Sequence, residues 1–139
     1  MSLIASAFPK VTASIEDIPY TVTIVDGVHR WFADESVLDG GANVGPTPVQ
    51  LLLSSLGACT SITLSMYAKR KAWPLTGVEV NLEYNPNGKP ADGNQIVRHI
   101  ILRGELDTEQ RERLLQVANA CPVHKILTGN IAIDTNLVD

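Results

Sequence analysis

Two cysteines, Cys59 and Cys121, are the side chains in this 139-residue chain with the widest range of chemistry open to them. A pair of thiols can be buried as small apolar groups, can share in a metal site, or can do redox work in which one sulfur attacks and the other captures the product. In a reducing compartment such a pair is seldom a structural staple. Cys121-Pro122-Val123-His124 has the Cys-x-x-His spacing of half a zinc site. Four ligands would then require Cys59 and either His29 or His99 as well. For nucleophilic work the reactive form is the thiolate, so an apolar setting, which raises the thiol pKa, has to be opposed by a cation or a helix N-terminus. Cys121 stands directly before Pro122, where the free amides of a new helical turn favour negative charge. Cys59 reads as mid-helical and needs a cation from elsewhere, with Arg30, Arg98 and Arg103 as candidates.

The elements that must hold these thiols are legible in the pattern. Val11 to Ile15 and Tyr20 to Val25 alternate with β-branched residues, and Asp26-Gly27 leads into a return strand over Val28 to Ala33. The run DGGANVGPT, Asp39 to Thr47, excludes regular structure and feeds a helix. Thr47 as N-cap, Pro48 at the first helical position and Gln50 three residues after the cap form a capping box. This helix extends to about Ala72, before Pro74, with Leu52, Leu56, Cys59, Ile62, Thr63 and Met66 at helical spacing on the face expected to meet protein. Val78 to Tyr84 and Ile96 to Leu102 form a second hairpin across the polar Asn85–Asn94 segment. A second helix starts at Asp107 or Thr108, sets Leu114, Ala118 and Cys121 on one face, and stops at Pro122, where Cys121 caps a short helix through Leu127. The tail from Asn130 to Leu137 has the β-branched content of a final strand. The expected order is β-β-α-β-β-α-α-β in a single α+β domain over residues 1–139.

Composition narrows the partners. With 45% hydrophobic residues the chain has the make-up of a packed globular protein, and a net charge of -4 without a Lys/Arg-rich run leaves no footprint for nucleic acid or anionic lipid. Met1 to Lys10 lacks the basic start and apolar run of a signal peptide, and the apolar stretches fall short of a bilayer span, so a cytoplasmic location without a membrane partner is expected. GGANVG, Gly40 to Gly45, lacks the following Lys-Ser/Thr of a nucleotide loop. Asp34 and Glu35 read as turn or surface charges, and His124 as a helix-face residue beside Cys121.

The run GPTPVQLLLSSLGACTSITLSMYAKRKAWPL, Gly45 to Leu75, resembles the central helix of the osmotically inducible protein C and organic hydroperoxide resistance superfamily. ANACPVHKIL, Ala118 to Leu127, resembles that superfamily's second cysteine motif, and ADES, Ala33 to Ser36, is similar to the segment before the glycine loop. The resemblance implies an intertwined homodimer whose long helices are wrapped by antiparallel sheets built from both chains. It implies that Cys59 attacks an organic hydroperoxide and becomes a sulfenic acid, that Cys121 captures it as a disulfide, and that a small dithiol such as dihydrolipoamide or a protein thiol regenerates the pair. No cofactor is implied. Apolar side chains around the thiol would favour fatty or aryl hydroperoxides over hydrogen peroxide.

The sequence departs from the family pattern at Gln50, where better-studied members carry a glutamate that pairs with the arginine activating the attacking cysteine. Arg30 lies in the β region from which that arginine comes. Gln50 can accept a hydrogen bond from a guanidinium, and it can equally be the third residue of a capping box alone. The alternative function is therefore a non-catalytic dimeric binding protein of the same fold with an apolar interface cleft, and a scaffolding dimer with inert cysteines is a third.

Overall fold

A computed structural model of the chain describes residues 9–138. The chain divides into two compact units between Leu52 and Leu53, within its longest helix.

Among the described residues, the first unit carries three short strands, β1 (Thr12–Ile15), β2 (Val22–Val25) and β3 (Arg30–Ala33), in an antiparallel sheet of order β1-β2-β3. β2 and β3 pair from Val22 opposite Ala33 to Val25 opposite Arg30. The turn between them uses Asp26, whose carboxylate accepts the amides of Val28 and His29, and Gly27 at φ 96°. Strand β2 starts two residues later than expected because Tyr20 takes a left-handed φ of 67°, outside strand geometry.

The polar residue that organises this unit is Asp34, expected as a turn or surface charge: it lies in the loop that follows β3, but the surface reading is overturned by a relative exposure of 1%. A buried carboxylate is costly unless its oxygens are paired, and this one accepts from the Thr21 hydroxyl at 3.0 Å and from the backbone N–H groups of Glu35, Ala42 and Val44. The glycine loop is thus folded around one side chain. Gly41 has to be glycine, since a Cβ there would run into the Glu35 carbonyl and lie 2.7 Å from the Asp34 carboxylate. Burial pushes the Asp34 pKa up, but its four hydrogen bonds outweigh that and hold it below the ordinary 3.8. The depressed value means that the stabilisation is fully present above 3.8 and is lost as pH falls through the lower folded value. Asp34→Ala is expected to lower the melting temperature by roughly 5–10 °C at neutral pH, and Asp34→Asn to flatten the acid limb of the stability profile. Thermal unfolding followed across pH checks both.

Helix α1 (Pro48–Arg70) opens with the expected capping box: Thr47 N–H donates to Gln50 Oε1 at 2.9 Å, and Gln50 N–H to Thr47 Oγ1 at 3.3 Å. It ends at Arg70, Ala72 turns left-handed at φ 57°, and Pro74 follows. By its 23 residues and mean hydropathy of 1.4, α1 is apolar enough to cross a bilayer, which corrects the expectation that no stretch reaches that span. Core helices share this property.

The second unit sets the rest of α1 with β4 (Gly77–Tyr84), β5 (Ile96–Arg103), α2 (Thr108–Ala118) and α3 (Pro122–Thr128). β4 and β5 form an antiparallel hairpin from Gly77 opposite Arg103 to Tyr84 opposite Ile96. Their half-buried faces alternate with exposed ones, Val78, Val80 and Leu82 on β4 and Ile96, Arg98, Ile100 and Leu102 on β5. The core is Leu64, Ala68, Leu114, Val117 and Ala118, with Trp73, Ile100 and Leu102 packed against it. Removing Leu64 and Leu114 from water contributes about 1.5–3 kcal/mol each. Asp107 and Gln110 cap α2 reciprocally, as expected.

Two expectations about this unit need correction. The buried ridge of α1 is Leu56, Thr60, Leu64 and Ala68, whereas Ile62 and Met66 are 58% and 67% exposed. Apolar residues run nearly all round α1, so their spacing does not fix which face packs. The tail is not a strand either: the described residues 130–138 have no regular structure, with Ile131 and Ile133 exposed. β-branched composition favours an extended chain, but a strand exists only where another backbone completes its ladder.

Candidate active site

Three elements converge on the two sulfurs. Cys59 and its neighbour Thr60 come from α1, Arg98 comes from β5, and Cys121 lies at the junction of α2 and α3 as N-cap of α3, where Pro122 takes the first helical position. Because Pro122 has no N–H, the first free amides of α3 are those of Val123 and His124. Val123 N–H donates to Cys59 Sγ and His124 N–H to Cys121 Sγ, each at 3.4 Å. Both sulfurs therefore rest on the same helix start. Sequence reasoning gave that device to Cys121 alone; Cys59 shares it through the tertiary fold.

Between the sulfurs and the strand lies Thr60, fully buried. Its hydroxyl donates to Leu56 O at 2.7 Å, accepts from Arg98 Nη1 at 2.9 Å, and lies 3.9 Å from Cys121 Sγ. The Arg98 guanidinium spans the site, with Nη2 donating to Asn119 Oδ1 at 3.0 Å and facing His124 Nδ1 at 3.2 Å. A guanidinium can only donate, so His124 Nδ1 accepts and the imidazole is neutral with its proton on Nε2. Burial and the charge of Arg98 both hold His124 below its ordinary pKa, in keeping with that form.

Access and electrostatics divide between the thiols. Cys121 has 0% exposure and Cys59 is half-buried, so an incoming molecule meets Cys59 first. Burial pushes the Cys121 thiol up, but the His124 amide, hydrogen bonds from Cys59 and Thr60, and the positive charge of Arg98 outweigh it, leaving its pKa below the ordinary thiol value. Each sulfur thus has its own backbone donor at the start of α3. Arg98 and His124 also line the polar side of a cavity of about 530 Å³ whose apolar side is Leu56, Ile96, Leu115 and Leu127.

The other candidates fall as follows. Among the three arginines considered for the cation, Arg98 is the one that reaches Thr60 and the Cys121 environment. Arg103 is engaged with Glu79 at 3.0 Å, and Arg30 is an exposed β3 residue with its guanidinium over the Phe32 ring. Gln50 completes the α1 capping box. His29 is bound to Asp26, and among the described residues no three His, Cys, Asp or Glu side chains converge to hold a metal. Instead, the His124 nitrogen that would serve a metal faces a guanidinium. Thr60 and Asn119 were not singled out from sequence. For Arg98 a sequence signal existed: it shares strand parity with Ile96, Ile100 and Leu102, a charge on an otherwise apolar face.

This set can stabilise one thiolate, offer the accessible sulfur to an electrophile, and bring a second sulfur to the product. A family model described as OsmC-like protein matches residues 40–136. Solved structures with similar folds include an OsmC-like protein from Mycoplasma pneumoniae (TM-score 0.74, 21% identity, covering 88% of this chain and 88% of that one). An organic hydroperoxide resistance protein OsmC from Legionella pneumophila aligns with TM-score 0.64 and 21% identity over 94% of this chain and 93% of that one. The organic hydroperoxide resistance protein OhrB of Bacillus subtilis aligns with TM-score 0.58 and 24% identity over 88% of this chain and 92% of that one. No curated protein sequence gives a significant match. The matched segment contains both cysteine motifs and more than half of the chain, and the protein belongs to the OsmC-like family.

Proposed function

We propose that the protein is a thiol peroxidase that reduces organic hydroperoxides through Cys59 and Cys121. The observation that carries this reading is that both sulfurs accept adjacent amides at the start of α3, with a half-buried Cys59 and a buried Cys121. The names of the Legionella and Bacillus relatives support the substrate class.

In the first step the Cys59 thiolate attacks one oxygen of ROOH, the O–O bond breaks, and the alkoxide takes a proton and leaves as ROH. Cys59 is then a sulfenic acid. In the second step Cys121 sulfur attacks Cys59 Sγ, the S–OH bond breaks, and the hydroxide takes the Cys121 proton and leaves as water. A dithiol or protein thiol reduces the resulting disulfide by exchange. Arg98 and the α3 amides stabilise the thiolate, and Leu56, Ile96, Leu115 and Leu127 receive the organic substituent. The activity calls for a reducing, cytoplasmic setting. Steady turnover of cumene hydroperoxide with dihydrolipoamide tests the reading; a folded protein that consumes none would be a binding protein instead.

The working form in this proposal is a homodimer. Ile62 and Met66 on α1, and Ile131 and Ile133 in the tail, are exposed apolar residues of the kind a second copy would cover, and the tail's backbone is free of any ladder. Sedimentation on dilution is expected to give no monomer that stays folded at micromolar concentration. A stable folded monomer there would remove the dimer from the account.

A further inference from the structure

We propose that Thr60 is a positioning residue that carries the charge of Arg98 to Cys121, its one hydroxyl proton moving from the Leu56 carbonyl to the Cys121 sulfur when that thiol ionises. The proposal rests on the two-cysteine reading only for its consequence in turnover; the relay itself is a property of the reduced protein.

A hydroxyl has one proton and two lone pairs. At Thr60 the proton is directed at Leu56 O, 2.7 Å away, and one lone pair is taken by Arg98 Nη1 at 2.9 Å. The remaining lone pair can accept from Cys121, whose sulfur is 3.9 Å away, so the neutral thiol is held as a donor to Thr60. Once Cys121 loses its proton it can only accept, and the Thr60 hydroxyl gains by turning towards it. That rotation leaves no buried group unpaired. Leu56 O lies four residues before Thr60 in α1 and keeps the helical hydrogen bond from the Thr60 N–H. Donation from Arg98 into the hydroxyl oxygen polarises the O–H bond and makes it a stronger donor to the thiolate. The same oxygen thus serves both protonation states of Cys121 without moving a side chain out of a fully buried position.

The titratable and charged groups around Cys121 are Cys59 on α1, Arg98 on β5 and His124 on α3. Of these, Arg98 acts through Thr60 as well as through space. In the proposed cycle the relay readies Cys121 to capture the Cys59 sulfenic acid, while Cys59 itself has its own amide donor from Val123.

The test uses Cys59→Ser protein, in which Cys121 is the sole thiol, and follows its thiolate absorbance against pH without peroxide. Thr60→Val, which keeps the shape and removes the hydroxyl, should raise the midpoint and reduce the thiolate fraction at neutral pH by roughly tenfold. Thr60→Ser, which restores the hydroxyl, should stay within about twofold of the Thr60 protein. Thr60→Ala supplies the same comparison should the valine variant not fold. Arg98→Met should raise the midpoint too, and the double variant should rise by less than the combined effects, because the two residues act in series. Equal midpoints for the valine and serine variants, or effects of Thr60 and Arg98 that simply combine, would overturn the relay. A protein that titrates as described yet consumes no hydroperoxide would keep the relay and remove only the peroxidase reading.

Discussion

Cys59→Ser is expected to abolish consumption of cumene hydroperoxide, whereas Cys121→Ser is expected to consume one equivalent rapidly and then stop. The asymmetry follows from access: Cys121 is fully enclosed, and Cys59 is the sulfur that an incoming peroxide can meet. It does not follow from thiolate stability: burial pushes the Cys121 pKa up, and the His124 amide with its other donors and the Arg98 charge bring it below the ordinary thiol value. Each sulfur has its own amide donor at the start of α3, and only Cys59 is exposed to substrate. Without Cys59 no sulfenic acid forms. Without Cys121 the acid forms and has no partner within the chain. Stopped-flow peroxide consumption, with chemical trapping of the sulfenic acid, distinguishes these outcomes. A Cys121 variant that loses the first equivalent while the Cys59 variant keeps it would reverse the assignment.

The second large effect is expected at Arg98. Its guanidinium donates to Thr60 and faces His124 beside Cys121, and its positive charge lowers the Cys121 pKa. Arg98→Met should therefore slow peroxide consumption at neutral pH by roughly tenfold or more, with the rate returning as pH rises through the higher thiol pKa. The sign is fixed by the charge: a cation stabilises the thiolate, and removing it moves the rate profile to higher pH. The same loss leaves Thr60, Asn119 and His124 without their common donor, so Arg98→Lys, with one charge and no fork, should recover only part of the rate. Arg30→Ala and Gln50→Glu, made at the positions that the family resemblance assigns to an activating arginine and its partner, are the comparison. A large loss with Arg30→Ala and none with Arg98→Met would return activation to the N-terminal strand region.

How far the sequence led can be judged from particular residues. Both caps that matter were legible, because Thr47-Pro48 with Gln50 and Cys121-Pro122 state a helix start in local chemistry. The β4–β5 hairpin followed from alternation, and the face that packs α2 followed from Leu114 and Ala118. The packed face of α1 was not legible, because a helix apolar nearly all round gives no phase and the buried ridge includes a threonine. Asp34 was misread for a related reason. Its composition says surface, and only the fold shows four donors closing around it. The tail over residues 130–138 has strand composition without a strand, since pairing is a relation between two segments and one segment cannot report it.

At the site, both cysteines and the capping role of Cys121 were legible, whereas the share of Cys59 in the α3 amides was not. That share depends on two helices meeting at atoms far apart in sequence. Arg98 was one of three candidates, and strand parity would have ranked it first. Thr60 gave no signal, because nothing in the type or spacing of a threonine after a cysteine marks a hydroxyl that accepts an arginine.

The central claim is that Cys59 and Cys121 form one redox pair, and the most direct measurement is the mass and cysteine connectivity of reduced protein after one equivalent of cumene hydroperoxide. The account predicts a protein lighter by a pair of hydrogens, in which proteolysis recovers the Cys59 and Cys121 peptides joined by a disulfide. Protein that stays unreacted, or that gains oxygen at Cys59 while Cys121 remains a free thiol, would contradict it.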